Sequence, residues 1–355
     1  MDPIIKEDAR IIADFDLPWD RLKGKTVLIS GSNGYVPSYF VHAFLMRNDL
    51  YNAGIKVIAL CRNKERANNR FKDYLDRDDF SLVIQDVCDP IDIAGDIHFL
   101  IHAASPSGAR ERHNNPVITF NANVLGAINM LELSREKNAE GFLLVSSVDV
   151  YGMTGSADRL TETDVGTIDG LNIRNAYSCG KRAAETISAC YCAQYGIPVV
   201  IVRPTQIMGP GIDLNDGRLH IDFISQILKN RKIVLKSDGQ AKRSFMYITD
   251  AITGMLTAML KGIPGEAYNV ASEEGEATVL ELASLALSLI GGNESDVIFD
   301  YKQRNSPEVL QALPNVTASS RKLQSLGWKA NFTLKEGMLR LMQFYGVFGN
   351  TTTMA

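Results

Sequence analysis

Thr26-Val-Leu-Ile-Ser-Gly-Ser-Asn-Gly-Tyr-Val-Pro37 begins as a short apolar run, Thr26 to Ser30, and turns through Gly31 and Gly34 into a helical pattern starting near Pro37. A strand that turns through glycine into a helix lets backbone N–H groups and the helix N-terminus meet a pyrophosphate. A plain tight turn has the same spelling. Two segments far downstream decide between them, Val145-Ser-Ser-Val-Asp-Val-Tyr151 and Tyr177-Ser-Cys-Gly-Lys181.

Outward from that turn, apolar runs alternate with helical patterns to about residue 205. The runs Thr26–Ser30, Lys56–Cys61, Ser81–Ile84, Phe99–Ala103, Phe142–Ser146 and Val199–Val202 are short and nearly continuous, as parallel strands covered on both faces must be. Helical patterns lie between them at Ser38–Asn52, Lys64–Leu75, Thr119–Lys137 and Tyr177–Tyr195. The alternation predicts a doubly wound α/β, Rossmann-like parallel sheet with right-handed crossovers. After Pro204 the pattern becomes irregular, with helices near Ile221–Lys229, Asp250–Leu260, Val279–Ile290 and Leu334–Tyr345 between short strands and Gly/Pro turns. The expected division is an N-terminal extension, 1–23, a dinucleotide-binding domain, 24–204 with parts of 240–270, and a smaller α/β substrate-binding lobe drawn mainly from 205–355. In the extension, Ile4, Ile5, Ile11 and Ile12 suit a helix packed back on the body.

The composition excludes several classes. A chain of 355 residues, 45% hydrophobic and 22% charged, is that of an ordinary globular protein. Its net charge of −4 and the mixed signs of Arg62-Asn-Lys-Glu-Arg66 argue against a nucleic-acid or anionic-membrane surface. No stretch approaches the roughly 20 apolar residues that span a bilayer. The five cysteines, Cys61, Cys88, Cys179, Cys190 and Cys192, lack zinc-ligand spacing, so no metal is expected. Residues two apart on a helix face different ways, so Cys190 and Cys192 read as separate buried thiols in a reducing cytoplasm. The N-terminus shows no signal-peptide core, and Asn315-Val-Thr and Asn331-Phe-Thr are chance glycosylation triplets.

Tyr177 and Lys181 stand four apart in a helical pattern and share one face. A free phenol titrates near 10 and is a poor base at neutral pH. A nearby ammonium, with the positive charge of an oxidised nicotinamide, favours the phenolate and fits Tyr177 to take a hydroxyl proton as hydride leaves the same carbon. Ser147 lies just beyond a strand, at the carboxyl edge where α/β ligands collect, placed either to hold the reacting oxygen or to bond its own backbone turn. Asn123, inside an otherwise apolar helix, either back-bonds locally or supports a water relay to Lys181.

Taken in order, Gly31-x-x-Gly34, His102-Ala-Ala-Ser-Pro106, Asn123-Val-Leu-Gly, Ser146-Ser-x-x-x-Tyr151-Gly, Tyr177-x-x-x-Lys181, Arg203-Pro and Arg243-Ser-Phe-Met-Tyr247 resemble the extended short-chain dehydrogenase/reductases acting on nucleotide sugars, the epimerase/dehydratase group. The resemblance spans about residues 24–345 and includes Ser319-Ser-Arg-Lys-Leu-x-x-Leu-Gly-Trp328. Through Ala104-Ser-Pro106, Arg174 and Gly180-Lys-Arg-x-Ala-Glu185 it looks most like the UDP-glucuronate decarboxylase-like subgroup. It implies a catalytic set of Ser147, Tyr177 and Lys181 with Asp149. It places Gly31, Ser32, Asn33, Gly34, Tyr35, Val36, Arg62, Asp86, Val87, Ala103, Ala104, Ser105 and Asn123 around the cofactor. Ser107, Val148, Arg174, Gln206, Arg218 and Arg243 then fall near a UDP- or dTDP-linked substrate, where a forked cation suits phosphate. It also implies a homodimer through a four-helix interface built from Thr119–Lys137 and Tyr177–Tyr195.

Four departures qualify the resemblance. Pro37 replaces the third glycine of the phosphate turn, a residue tolerated in a helix's first turn. The second strand ends in Cys61-Arg62-Asn63 rather than an acid for the ribose 2′-hydroxyl, which favours NADP over NAD; the alternative is a solvated arginine at a helix start. Val148 and Asp149 stand where 4,6-dehydratases carry Asp-Glu, which disfavours sugar dehydration and withdraws the remaining acid by one methylene, unless Asp149 only caps a turn. Gln206 and Met208 replace the group's usual Asn and Tyr. The expected activity is hydride transfer at sugar C4, of the epimerase or decarboxylase kind through a 4-keto intermediate. The alternatives are a one-way NADPH-dependent 4-keto-sugar reductase and, more remotely, a non-catalytic dinucleotide sensor.

Overall fold

The computed structural model describes residues 1–106, 108–155, 159–300 and 315–348. Seven parallel strands form the central sheet: β1 (Thr26–Ser30), β2 (Lys56–Cys61), β3 (Phe80–Ile84), β4 (Phe99–His102), β5 (Gly141–Val145), β6 (Val199–Pro204) and a seventh, Ala267–Val270. Their spatial order is β3-β2-β1-β4-β5-β6 followed by the seventh strand. The order reverses between β1 and β4, so a crevice opens at their carboxyl ends. Residues alternate between two cores. Val27, Ile29, Ile101, Leu143 and Val200 enter one, while Leu28, Leu100, Phe142, Leu144 and Val199 enter the other. This two-sided burial explains why the strands read as continuous apolar runs.

Helices α1 (Pro3–Asp14) and α2 (Tyr35–Tyr51) belong to the first face. On the second face, α5 (Pro116–Glu136) and α6 (Ala176–Tyr195) pack against each other. Between α2 and α5 in sequence lie α3 (Lys64–Phe71), which stops four residues short of the expected Leu75, and the short α4 (Ala109–Asn114). Beyond the sheet, Lys242–Tyr247 is the central strand of a small second sheet. The helix Ile248–Lys261 follows it onto the first face, which ties residues 240–270 to the main sheet. Among the described residues, no helix is long and apolar enough to cross a membrane, and no cluster suits a metal ion.

The N-terminal helix is bolted down by a buried carboxylate. Asp8, fully shielded from solvent, accepts hydrogen bonds from Tyr247 Oη at 2.9 Å and from Arg340 Nη2 at 2.7 Å. Burial pushes its carboxyl up to about 6, against the pull of Arg340. Asp250 performs a similar service at the other end, accepting the N–H groups of Asn331 at 3.0 Å and Phe332 at 2.9 Å. Removing it in Asp250→Ala orphans two part-buried backbone donors and is expected to cost about 1–3 kcal/mol, read as a lower midpoint in urea unfolding with the slope unchanged.

Candidate active site

A cavity of about 660 Å³ opens at the carboxyl ends of the strands. Its first wall is the turn from β1 into α2. Gly31 sits at φ +68°, and a Cβ there would lie 2.7 Å from the Ala104 Cα, so both conformation and space call for glycine. Helix α2 starts at Gly34 with no side-chain cap, leaving N–H groups free for an anion. Behind the turn, Ser30 Oγ accepts the N–H groups of Ala103 at 3.2 Å and Ala104 at 3.3 Å, sewing the ends of β1 and β4 together. These residues fit a dinucleotide: a glycine cradle, free helix-start N–H groups, and a cleft long enough to run from Arg62 to Tyr177.

At the far end of β2, Arg62 stands 3.7 Å from the Asp86 carboxylate and is more than half exposed. Asn63, not Arg62, caps α3, accepting from the Arg66 N–H at 2.9 Å. Arg62 and Arg66 both line the cavity.

At the opposite end, α6 carries Tyr177 and Lys181 on one face, with both in the cavity wall. Lys181 is buried and its Nζ donates to the Val145 carbonyl at 2.6 Å. Burial draws its ammonium down to about 7, with Glu185 opposing and Arg112 assisting. Ser147 Oγ accepts the Asp149 N–H at 3.1 Å, which leaves its own proton free to turn towards the Tyr177 oxygen, whose ionisation it favours. Desolvation raises the Tyr177 phenol above its ordinary value, outweighing Arg112 and the Ser147 hydrogen bond, which lower it. In the protein alone burial thus favours the neutral phenol; the phenolate is the expectation for the state in which an oxidised nicotinamide adds its charge.

Behind Lys181 runs a network that sequence reasoning did not assemble. Glu185 takes Arg203 in two bonds, 2.7 and 3.0 Å, and accepts from Ser146 Oγ at 2.5 Å. Arg203 reaches Tyr151 Oη at 3.1 Å, and that hydroxyl donates to Asn269 Oδ1 at 2.6 Å. Tyr151 and Arg203, recognisable as motif residues, are thus members of this structural network.

Most expected residues line this cavity: Gly31, Asn33, Gly34, Tyr35, Val36, Arg62, Asp86, Val87, Ala103, Ala104, Ser105, Ser147, Asp149, Tyr177, Lys181, Gln206 and Arg218. Five others do not. Ser32 turns inward and donates to the Ile29 carbonyl. Val148 is buried in a small cluster with Val150, Tyr151 and Leu160. Arg174 follows the Asn172 cap. Arg243 lies behind Asp149, where burial weighs against its charge. Asn123 donates to the Thr119 carbonyl at 2.7 Å and to Ser105 Oγ at 3.1 Å, while its Oδ1 has no partner among the described residues. Ser107 lies outside the described residues. Arg112, which no motif flagged, enters from α4 with its guanidinium 4.3 Å from the centre of the Tyr177 ring. Asp216 also enters, 3.1 Å from Arg218.

Comparison with known proteins identifies the family. Residues 27–271 match the model of the NAD dependent epimerase/dehydratase family. The chain is 30% identical over 312 residues to UDP-glucuronic acid decarboxylase 6 of Arabidopsis thaliana, covering 88% of this chain and 86% of that protein. It is 29% identical to UDP-glucuronic acid decarboxylase 1 of Danio rerio, over 90% of this chain and 72% of the relative. Among solved structures, dTDP-glucose 4,6-dehydratase of Bacillus anthracis in complex with NAD superimposes with a TM-score of 0.75 at 21% identity, covering 90% of this chain and 96% of the other. UDP-glucose 4-epimerase of Thermotoga maritima gives a TM-score of 0.73 at 19% identity, with 90% and 98% covered. The match over most of the sheet and the relatives along nearly the whole chain lead to one conclusion: this protein belongs to the NAD dependent epimerase/dehydratase family.

Proposed function

We propose that the chain modifies a nucleotide-linked sugar by two-electron exchange at its C4, through a 4-keto species, with net epimerisation or decarboxylation as the outcome. The observation that carries this reading is the Tyr177 side chain in the cavity wall beside Ser147, with the Nζ of the buried Lys181 5.8 Å from its ring centre. A bound nicotinamide dinucleotide supplies the electron-pair exchange with C4. Tyr177 takes the proton of the C4 hydroxyl at its Oη and later gives it back. Ser147 orients that same oxygen. Lys181, held by the Val145 carbonyl, adds positive charge that helps the phenol ionise. Arg218, paired with Asp216 at the cavity wall, serves the substrate diphosphate, and a UDP- or dTDP-sugar fits this end.

The cofactor in this reading is NADP. Arg62 and Arg66 offer two guanidinium groups where a ribose 2′-phosphate would lie, and among the described residues the ion pair here is Arg62 with the half-buried Asp86 at 3.7 Å. The same pair supports a second reading, one-way reduction of a 4-keto sugar, because a neutral Tyr177 phenol is already a proton donor. A homodimer is supported by Val117, Ile118, Phe120 and Leu125, which leave apolar surface exposed on α5 beside α6.

Three measurements test these statements. Tyr177→Phe is expected to lower turnover by about 10³-fold while dinucleotide affinity changes little, whereas a sensor would behave as before. Fluorescence titration is expected to give tighter binding of NADPH than NADH, and Arg62→Ala to weaken NADPH about tenfold or more with NADH unaffected. Following nucleotide oxidation during turnover separates the two chemistries: a recycled cofactor supports epimerisation or decarboxylation, and stoichiometric NADPH consumption supports the reductase.

A further inference from the structure

Two cations approach the Tyr177 phenol, and they differ in kind. Lys181 lies on the same helix with its Nζ 5.8 Å from the ring centre, and its charge becomes conditional near neutral pH because burial draws it down to about 7. Arg112 comes from α4, which packs against α5 and against Ile173–Asn175 at the start of α6, and covers the ring face at 4.3 Å. A guanidinium keeps its proton at any pH a protein survives. Its Nη1 also stands 3.5 Å from Asp149 Oδ2, and both side chains are less than one-third exposed. The remaining groups around the phenol are few. Asp149 is the carboxylate that opposes its ionisation, Ser147 donates to it, and Arg218 adds a weaker positive influence. Glu185 acts on Lys181, and Arg243 is influenced by Asp149.

We propose that Arg112, stacked on Tyr177 and paired with Asp149, is a positioning residue for the proton step, setting the charge balance that decides when Tyr177 gives up its proton. This deepens the reading above and rests on Tyr177 being the proton-carrying group. A permanent cation over the ring attracts a phenolate more strongly than a phenol. By pairing with Asp149, the same cation offsets a carboxylate that would hold the proton on. Losing Arg112 withdraws the cation and unmasks the anion together. Losing the Asp149 charge does the reverse, and leaves Arg112 free to act on the ring alone.

The test reads the phenol rather than turnover. Full-length protein carrying carbon-13 at the tyrosine Cζ is titrated by NMR with NADP⁺ bound, and Tyr177→Phe identifies the resonance. Asp149→Asn is expected to lower the Tyr177 midpoint, and adding Arg112→Gln to that variant to raise it again by ~1 pH unit. Arg112→Lys in the same background should recover part of the shift. In the otherwise native protein, Arg112→Gln is expected to move the acid limb of the kcat/KM profile for alcohol oxidation to higher pH. A merely structural Arg112 would scale activity down at every pH with the limb in place. Equal midpoints with and without Arg112 in the Asp149→Asn background overturn the proposal, as does a Tyr177 that stays protonated to about pH 11 there. An inert protein whose midpoint still moves would refute the enzymatic reading and keep this one.

Discussion

A lysine ammonium sealed behind the rim of a parallel sheet is the constraint on which the rest of the site depends. Lys181 is shielded from water, and the Val145 carbonyl and the nearby Glu185 carboxylate keep its charge tolerable. Glu185 in turn cannot be buried without Arg203, which fastens on Tyr151 and, through it, on Asn269 of the edge strand. A buried charge whose partner is removed is costly, so every member of this chain is held by the next. The chemistry proposed for Tyr177 is therefore anchored in the framework of the sheet rather than in a loop.

Topology brings the parts together. Parallel strands send every carboxyl end to one edge, and the reversal between β1 and β4 leaves that edge open where Gly31 and Ala104 meet. The N-terminal helix contributes indirectly. Asp8 ties it to Tyr247 and Arg340, while Tyr39 donates to the Pro210 carbonyl at 3.2 Å and Arg70 to the Gly211 carbonyl at 3.2 Å. Residues on one face of the sheet thus fix the 209–213 loop, whose Gly211, Ile212 and Asp213 line the cavity.

What could be read from the residues was whatever local pattern encodes. Six strands were legible because burial on both faces leaves an unbroken apolar run, and Tyr177 with Lys181 because a four-residue spacing fixes a shared helix face. The seventh strand, Ala267–Val270, escaped because Asn269 interrupts its short apolar run, a polar residue whose side chain bonds to Tyr151, Leu160 and Ser319. Arg112 escaped for a related reason: a six-residue helix shows no periodicity, and its meeting with Tyr177 is a tertiary event. Burial set the direction for Tyr177 itself. Spacing names Lys181 as a neighbouring cation, but only the packed site shows desolvation outweighing Arg112 and Arg218 at the phenol. Arg174 and Arg243, carried over by resemblance, stand outside the cavity wall for the same reason that motifs identify positions and not distances.

The most direct measurement is a crystal structure of the protein soaked with NADP⁺. The account predicts the diphosphate over the turn Gly31–Gly34, the nicotinamide ring beside the Tyr177 hydroxyl, and the adenosine end against Arg62. A dinucleotide seated elsewhere, or a Tyr177 hydroxyl turned away from the nicotinamide, would contradict it.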